Sequence, residues 1–280
     1  MNTGERVSRP AHPYLDAPYP RAMAHRGWHL DELSGMENSM ASLRRALAEG
    51  FRYLEIDVHA TSDGVVVVCH DASLNRTTDS TGPIAAQPWD VVRTARVRGR
   101  EAVPSLREVF DELPEALLNI DVKSDSAVEP TLALVSELDA WDRICLASFS
   151  SERLSRMREV GGSKLITACS PTEAFGLRTR GWLRRAGLGR SGQGRLRRLR
   201  ALGPVDAQLA QVPVRHGPIT VVDREVLAAA HEAGIEVHVW TINDAHRMRA
   251  LLDLGVDGLI SDRPDVLREV LAERGQWPGR

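Results

Sequence analysis

The residues best equipped for chemistry crowd into the first 71 positions of the chain: Ala24-His25-Arg26-Gly27, Glu37-Asn38, Glu55-Ile56-Asp57-Val58 and His70-Asp71. Alternate side chains of a strand share a face, so Glu55 and Asp57 can aim two carboxylates at one point. Mg²⁺ and Ca²⁺ favour oxygen donors of that kind. Histidine is the side chain best suited to move a proton near neutral pH, and two are at hand. The guanidinium of Arg26 matches the geometry of a phosphate. Together these side chains point to metal-assisted cleavage of a phosphoester.

Such side chains must be brought together by regular elements, and the pattern of the chain supplies them. Short apolar runs alternate with helix-patterned segments from one end to the other. The runs place strands near 21–25, 53–58, 117–122, 143–148, 164–169, 205–211, 235–240 and 257–261. Helical spacing is read over 39–49, 105–112, 128–139, 151–160, 224–233 and 244–254. Parallel strands need crossover connections, so eight strand–helix pairs specify an α/β fold, a (β/α)₈ TIM barrel. His25, Glu55, Asp57, Asp121, Lys123 and Trp240 then fall at or just before the carboxyl ends of strands, where barrel chemistry sits.

Two stretches interrupt the repeat. Gly64-Val65-Val66-Val67-Val68-Cys69-His70 follows a Ser62-Asp63-Gly64 turn and predicts a hairpin return. Residues 59–115 are therefore read as a small insertion after the second strand, on the active-site face, carrying His70 over the mouth. The second, Arg178 to Arg200, holds nine arginines and no acidic residue. It is read as a solvated, partly helical loop within 176–203, with weak contact to an anionic membrane as the sharper alternative. Residues 1–20 are expected as an N-terminal extension, and 21–280 as a single barrel domain.

Bulk properties narrow the classes. A net charge of −2 gives no whole-surface attraction to nucleic acid, and no nucleic-acid partner is expected. No apolar run is long enough for a transmembrane helix, and the first 20 residues do not resemble a signal peptide. Cys69, Cys145 and Cys169 lie in apolar runs and read as core residues of a reducing, cytoplasmic compartment. Among 36 basic residues only Lys123 and Lys164 are lysine. Lys123 follows Asp121 by two positions on the same strand face, which sets it apart. His59 shares the Glu55/Asp57 face, whereas His238 reads as core and His231 as a helix residue with no evident partner.

Taken in order, the motifs resemble the glycerophosphodiester phosphodiesterases. The likeness extends to Leu74-Asn75-Arg76-Thr77-Thr78, Val103-Pro104-Ser105-Leu106, Asn119-Ile120-Asp121-Val122-Lys123, Trp240-Thr241-Ile242-Asn243 and Ser261-Asp262-Arg263-Pro264. It implies a TIM barrel hydrolysing a small glycerophosphodiester, such as glycerophosphocholine or glycerophosphoethanolamine, to glycerol 3-phosphate and an alcohol. It implies His25 and His70 as the acid–base pair, and Glu55, Asp57 and Asp121 as ligands of a divalent metal ion, Mg²⁺ or Ca²⁺. Asp121 departs from the glutamate usual at the third position, although a related sphingomyelinase D branch has aspartate there. Arg26 and Lys123 are implied to bind phosphate oxygens, with Glu37 and Asn38 supporting them. Trp240 could wall the pocket or contact the alcohol. A lysophospholipase D or sphingomyelinase D type of lipid phosphodiesterase, and a non-catalytic binding protein, are the alternative readings.

Overall fold

The computed structural model describes residues 12–187 and 205–277. Eight parallel strands run in the order of the chain: β1 (Arg21–His25), β2 (Tyr53–Ala60), β3 (Leu117–Val122), β4 (Ile144–Ala147), β5 (Ile166–Thr167), β6 (Leu209–Pro213), β7 (Glu236–Trp240) and β8 (Gly258–Ser261). Each pairs with its chain neighbour, and β8 pairs back onto β1 through Arg21↔Gly258 to Ala24↔Ser261. The seam between β5 and β6 is a single parallel bridge, Ala168↔Leu209, backed by Cys169 N donating to Leu209 O at 2.7 Å. The ring is thus nearly closed, as a (β/α)₈ barrel requires.

A helix follows every strand: α1 (Met40–Ala48), α2 (Leu106–Glu112), α3 (Val128–Glu137), α4 (Ser151–Gly161), α5 (Pro171–Arg185), α6 (Arg224–Glu232), α7 (Ala245–Leu254) and α8 (Pro264–Glu273). Local chemistry sets several starts. Ser105 and Ser170 close capping boxes with Glu108 and Glu173, and Asp223 and Asp244 cap α6 and α7. The strands read as near-continuous buried runs, every residue of β2 and β3 included, because helices cover their outer face.

The insertion after β2 begins with the expected return. Val66–Val68 pairs antiparallel with Val58, His59 and Ala60. A separate apolar cluster around Val67, Leu74, Ile84, Val92 and Val97 anchors it. The insertion therefore has its own small core, which makes it a firm platform for His70.

Arginine-rich residues as far as Arg185 are helical, in keeping with a partly helical segment, but Arg178 departs from the solvated picture. Arg178 lies in α5, 2% exposed, with Nη1 donating to Asp223 at 2.7 Å. Most of the remaining stretch, residues 188–204, falls outside the described residues, as do residues 1–11 of the N-terminal stretch.

From residue 12 onward the N-terminal stretch packs beneath the barrel. Tyr14 is fully buried, and Tyr53 donates its hydroxyl to Tyr14 O. Arg21, buried in the floor, donates to Glu236 and to the backbone carbonyls of Leu15, Ala17 and Pro18. His238 lies 3.0 Å from the same Glu236 carboxylate. His231, expected to be without a partner, stands 2.7 Å from Asp257, a contact between residues 26 positions apart that no local pattern announces.

Candidate active site

The carboxyl ends of β1, β2, β3 and β7, together with the insertion, deliver the sequence-predicted side chains to one cavity of about 530 Å³. His25, Arg26, Glu55, Asp57, His70, Asp121, Lys123 and Trp240 all line it, and Glu37 and Asn38 lie just behind. The His-Arg-Gly turn makes this crowding feasible. Arg26 adopts a positive φ of 57°, and Gly27, at φ 86°, passes so close to Ser42 that a Cβ would lie 2.8 Å from backbone carbon. Asn38 also holds φ 57°, with its side chain donating to Asp57 Oδ2 at 2.9 Å. Strained backbone of this kind persists only where surrounding contacts fix it.

Each histidine has its own carboxylate. His25 Nδ1 stands 2.5 Å from Asp262 Oδ1, and Asn243 Nδ2 donates to Asp262 Oδ2 at 3.0 Å. On its other side His25 Nε2 is 3.7 Å from Glu55. Burial lowers the proton affinity of His25, but Glu55 and Asp262 outweigh it and hold the ring above the usual histidine range. His70 Nδ1 lies 2.6 Å from Asp71 Oδ1. His59 supports that loop from below, with Nε2 3.2 Å from His70 O.

A chain of ion pairs ties insertion to barrel. Arg76 donates to both oxygens of Asp71, at 2.6 and 3.0 Å, and to both oxygens of Glu37, at 2.7 and 3.0 Å. Glu37 accepts from Arg26 at 2.9 Å, and Arg26 Nε is 3.1 Å from Asp57. His70 is thereby connected, charge by charge, to the carboxylates of β2.

Glu55, Asp57 and Asp121 do not share their burden equally. Burial pushes Glu55 up to about 8, with Asp57 and Asp121 adding repulsion and His25 pulling back. Asp57 is also buried, yet Lys123 and Arg26 hold it below the usual carboxylate range. Burial raises Asp121 despite the ammonium of Lys123 beside it. Lys123 Nζ stands 2.7 Å from Asp57 Oδ1 and 2.7 Å from Asp121 Oδ2.

Two features of this trio suit a hard cation. Asp121 Oδ1 is buried with no hydrogen-bond partner, and burial, with repulsion from Asp57 and Asp121 added to it, raises Glu55. As they stand, the described residues include no group of three His, Cys, Asp or Glu at ion-holding spacing. Lys123 occupies the position between two of the oxygens instead. The donors are oxygens of the type a divalent ion takes, and Lys123 is the cation that now stands between two of them.

Several contributors have no role that the sequence assigns them. Asp262 and Asn243 come from the far end of the chain, Arg76 from the insertion. Asn119 and Gln211 span the cavity floor from β3 to β6 with reciprocal amide hydrogen bonds of 2.8 and 3.2 Å.

The comparisons with known proteins agree with one another. The profile of the glycerophosphoryl diester phosphodiesterase family matches residues 25–266. A Mycobacterium tuberculosis protein named "Probable glycerophosphodiester phosphodiesterase 2" is 36% identical, over 92% of this chain and 93% of its own length. A lysophospholipase D of Rattus norvegicus is 26% identical, over 90% of this chain and 86% of its own. Among solved structures, a glycerophosphodiester phosphodiesterase from Agrobacterium tumefaciens superposes with a TM-score of 0.69 at 23% identity, covering 90% of this chain and 99% of that one. An Oleispira antarctica phosphodiesterase, in complex with the product sn-glycerol-3-phosphate, superposes with a TM-score of 0.68 at 23% identity, covering 91% and 97%. These last two likenesses establish the fold.

Proposed function

The chain belongs to the glycerophosphoryl diester phosphodiesterase family, and we propose that it hydrolyses glycerophosphodiesters such as glycerophosphocholine and glycerophosphoethanolamine to glycerol 3-phosphate and the free alcohol. The observation that carries this reading is the meeting of two carboxylate-backed histidines, Arg26, Lys123 and three carboxylates in one cavity. The glycerol 3-phosphate bound by the Oleispira antarctica protein is the product this reaction would release.

One histidine takes the proton of the attacking hydroxyl, and the other gives a proton to the departing alcohol oxygen. If a hydroxyl of the substrate's own glycerol attacks, it forms a cyclic phosphate, and water then opens the ring with the two histidines exchanging roles. Asp262 and Asp71 fix the orientation of His25 and His70, so that the outer ring nitrogens face the cavity. Arg26 and Lys123 neutralise the phosphate oxygens as charge builds in the transition state. Glu55, Asp57 and Asp121 would hold a divalent ion, which supplies Lewis acidity at the phosphate when bound. Trp240 walls the cavity beside Phe149, with ring centroids 5.8 Å apart.

Among the described residues no helix is long and apolar enough to cross a membrane. A cytoplasmic location is supported by three buried, unpaired cysteines.

The test is release of glycerol 3-phosphate from both substrates with Mg²⁺, Ca²⁺ or Mn²⁺ and with chelator. Release that depends on added metal supports the proposal. Release undiminished by chelator would remove the metal from it, and folded protein inert with every metal would overturn it.

A further inference from the structure

The cavity is divided by chemistry. Strands β1 to β3 and the insertion furnish its charged half, whereas the segments after β4, β5 and β6 furnish an apolar half that includes Phe149, Phe175 and Ile219. The segment after β4 also serves the charged half. It does so at the carboxyl end of β3, through the backbone.

Asp121 and Lys123 leave that strand end two residues apart, but their backbones are held differently. Asp121 is paired on both sides, with Asp57 of β2 and Ala147 of β4. The pairing with β4 ends there. Lys123 keeps the β2 side, donating its N–H to Val58 O at 3.1 Å. On the β4 side, side chains take over from the ladder. Ser148 Oγ donates to Val122 O at 2.9 Å. Arg153 Nη1 donates to the same carbonyl at 2.9 Å and to Ser148 Oγ at 2.9 Å. Arg153 Nε donates to Asp125 Oδ1 at 2.7 Å. One guanidinium thus grips the chain on both sides of Lys123, and its rigid fork of donors suits the task. Asp125 is 74% exposed, so its ion pair contributes little to stability; it fixes the direction of the guanidinium. Arg153 is placed in turn by the start of α4, where Ser150 caps the helix and accepts from Arg153 N at 3.3 Å.

We propose that Arg153 is a positioning residue for Lys123: it replaces the missing ladder of β4 and fixes the backbone from which the ammonium is aimed at the phosphate. The proposal rests on the reaction assigned in the preceding subsection and adds to it a residue that does not line the cavity. Lysine carries its charge on a flexible four-carbon stem, so a loose base is felt in full at the tip. A misplacement of about 1 Å can cost about 10²-fold in rate. Action by charge alone is the rival account of Arg153. Geometry decides against it, because every side-chain hydrogen bond of Arg153 goes to the β3 end or to Ser148, which holds the same carbonyl.

The experiment places Arg153→Met and Arg153→Lys in the wild-type and Lys123→Met backgrounds. It measures kcat and KM for glycerophosphocholine, and calorimetric binding of glycerol 3-phosphate to the Mg²⁺-loaded protein. In the wild-type background Arg153→Met should lower kcat by about 10–100-fold with a smaller change in KM. Arg153→Lys should rescue little, because an ammonium keeps the charge but cannot grip both points. In the Lys123→Met background either change should alter kcat by no more than about twofold, since the side chain it serves is gone. Affinity for glycerol 3-phosphate should follow the same pattern, which keeps the cycle readable where Lys123→Met leaves little turnover. Wild-type behaviour of Arg153→Lys would overturn positioning in favour of charge. Equal fold losses in both backgrounds would overturn the link to Lys123 and leave Arg153 a structural residue. Wild-type protein that binds glycerol 3-phosphate but cleaves no diester with any metal would overturn the underlying reaction, and the binding cycle would still decide the role of Arg153.

Discussion

At the floor of the barrel Arg21 meets Glu236 through hydrogen bonds of 3.0 and 3.1 Å, with His238 3.0 Å from the same carboxylate. At the mouth, on β2 and β3, Glu55 faces Asp57 and Asp121 with too few cations to satisfy all three. The consequence is visible in proton affinity. Burial acts on both groups, but His238 and Arg21 hold Glu236 well below the usual range, whereas burial and repulsion push Glu55 up to about 8. One end of the barrel holds its charges at rest and the other holds them in opposition. Clustered carboxylates held in opposition are what a bound cation can relieve, so the difference teaches where stability was given up for binding.

The sharpest way to break this comparison is to remove chemistry from the mouth and watch stability. His25→Ala and His70→Ala should each lower kcat for glycerophosphocholine by about 10²–10⁴-fold, the usual worth of a positioned acid or base. Thermal melting should stay close to wild type. Retained activity in both variants would remove the histidines from the mechanism.

The floor should behave in the opposite sense. Glu236→Gln leaves the Arg21 charge buried without its counter-charge, and should cost about 3–5 kcal/mol of stability. The folded fraction should keep its kcat/KM. Replacing both partners, Arg21→Met with Glu236→Leu, should cost much less than the single change, because no orphaned charge remains. A melting temperature unmoved by Glu236→Gln would mean the floor is not the stabilising end.

Arg76 sharpens the comparison, because it stands at the mouth but is not among the residues that line the cavity. It grips Asp71 and Glu37 with four hydrogen bonds and so positions His70 and Arg26 together. Arg76→Gln should lower kcat by about 10–100-fold with a smaller change in KM, the range seen when a supporting partner is lost. Arg76→Lys should rescue little, since one ammonium cannot span two carboxylates in fork geometry. Equal losses in kcat and stability would make Arg76 a structural residue only.

Much of the mouth was legible because strand alternation is a local rule. Glu55 and Asp57 on β2, and Asp121 and Lys123 on β3, share faces at spacing two, and the structure brings them to one cavity. The bounds of β5 were less legible: an apolar run over 164–169 yields a strand of only Ile166–Thr167, because closure there depends on one bridge to Leu209. Asp262 and Arg76 could be seen as parts of motifs but not assigned work, since their partners lie 237 and 39 residues away in the chain. The apolar half of the cavity had no signature at all. Its residues come from a loop, a helix start and a hairpin, none with a shared period, and only the closed barrel sets Phe149 beside Ile219. The arginine run misled for a related reason: composition suggested solvent, but Arg178 turns inward to Asp223.

The smallest expected effect tests the sign of the difference between the two ends. Glu236 has its proton affinity depressed by folding, so its contribution is present above the ordinary glutamate value of 4.5 and is lost as pH falls further. Glu55 is raised from 4.5 to about 8, so in metal-free protein it favours the folded state while protonated and opposes it once ionised. Its penalty therefore grows as pH rises from about 5 to 8. Glu55→Gln, a nearly isosteric neutral, should stabilise the chelated protein at pH 8 by on the order of 1 kcal/mol, with the gain fading towards pH 5. Activity should be lost at the same time. Urea unfolding at both pH values measures it, and added Mg²⁺ should erase the advantage by stabilising wild type alone. If Glu55→Gln destabilised the chelated protein at pH 8, the opposed charges of the mouth would be stabilising after all, and the two ends of the barrel would not differ in kind.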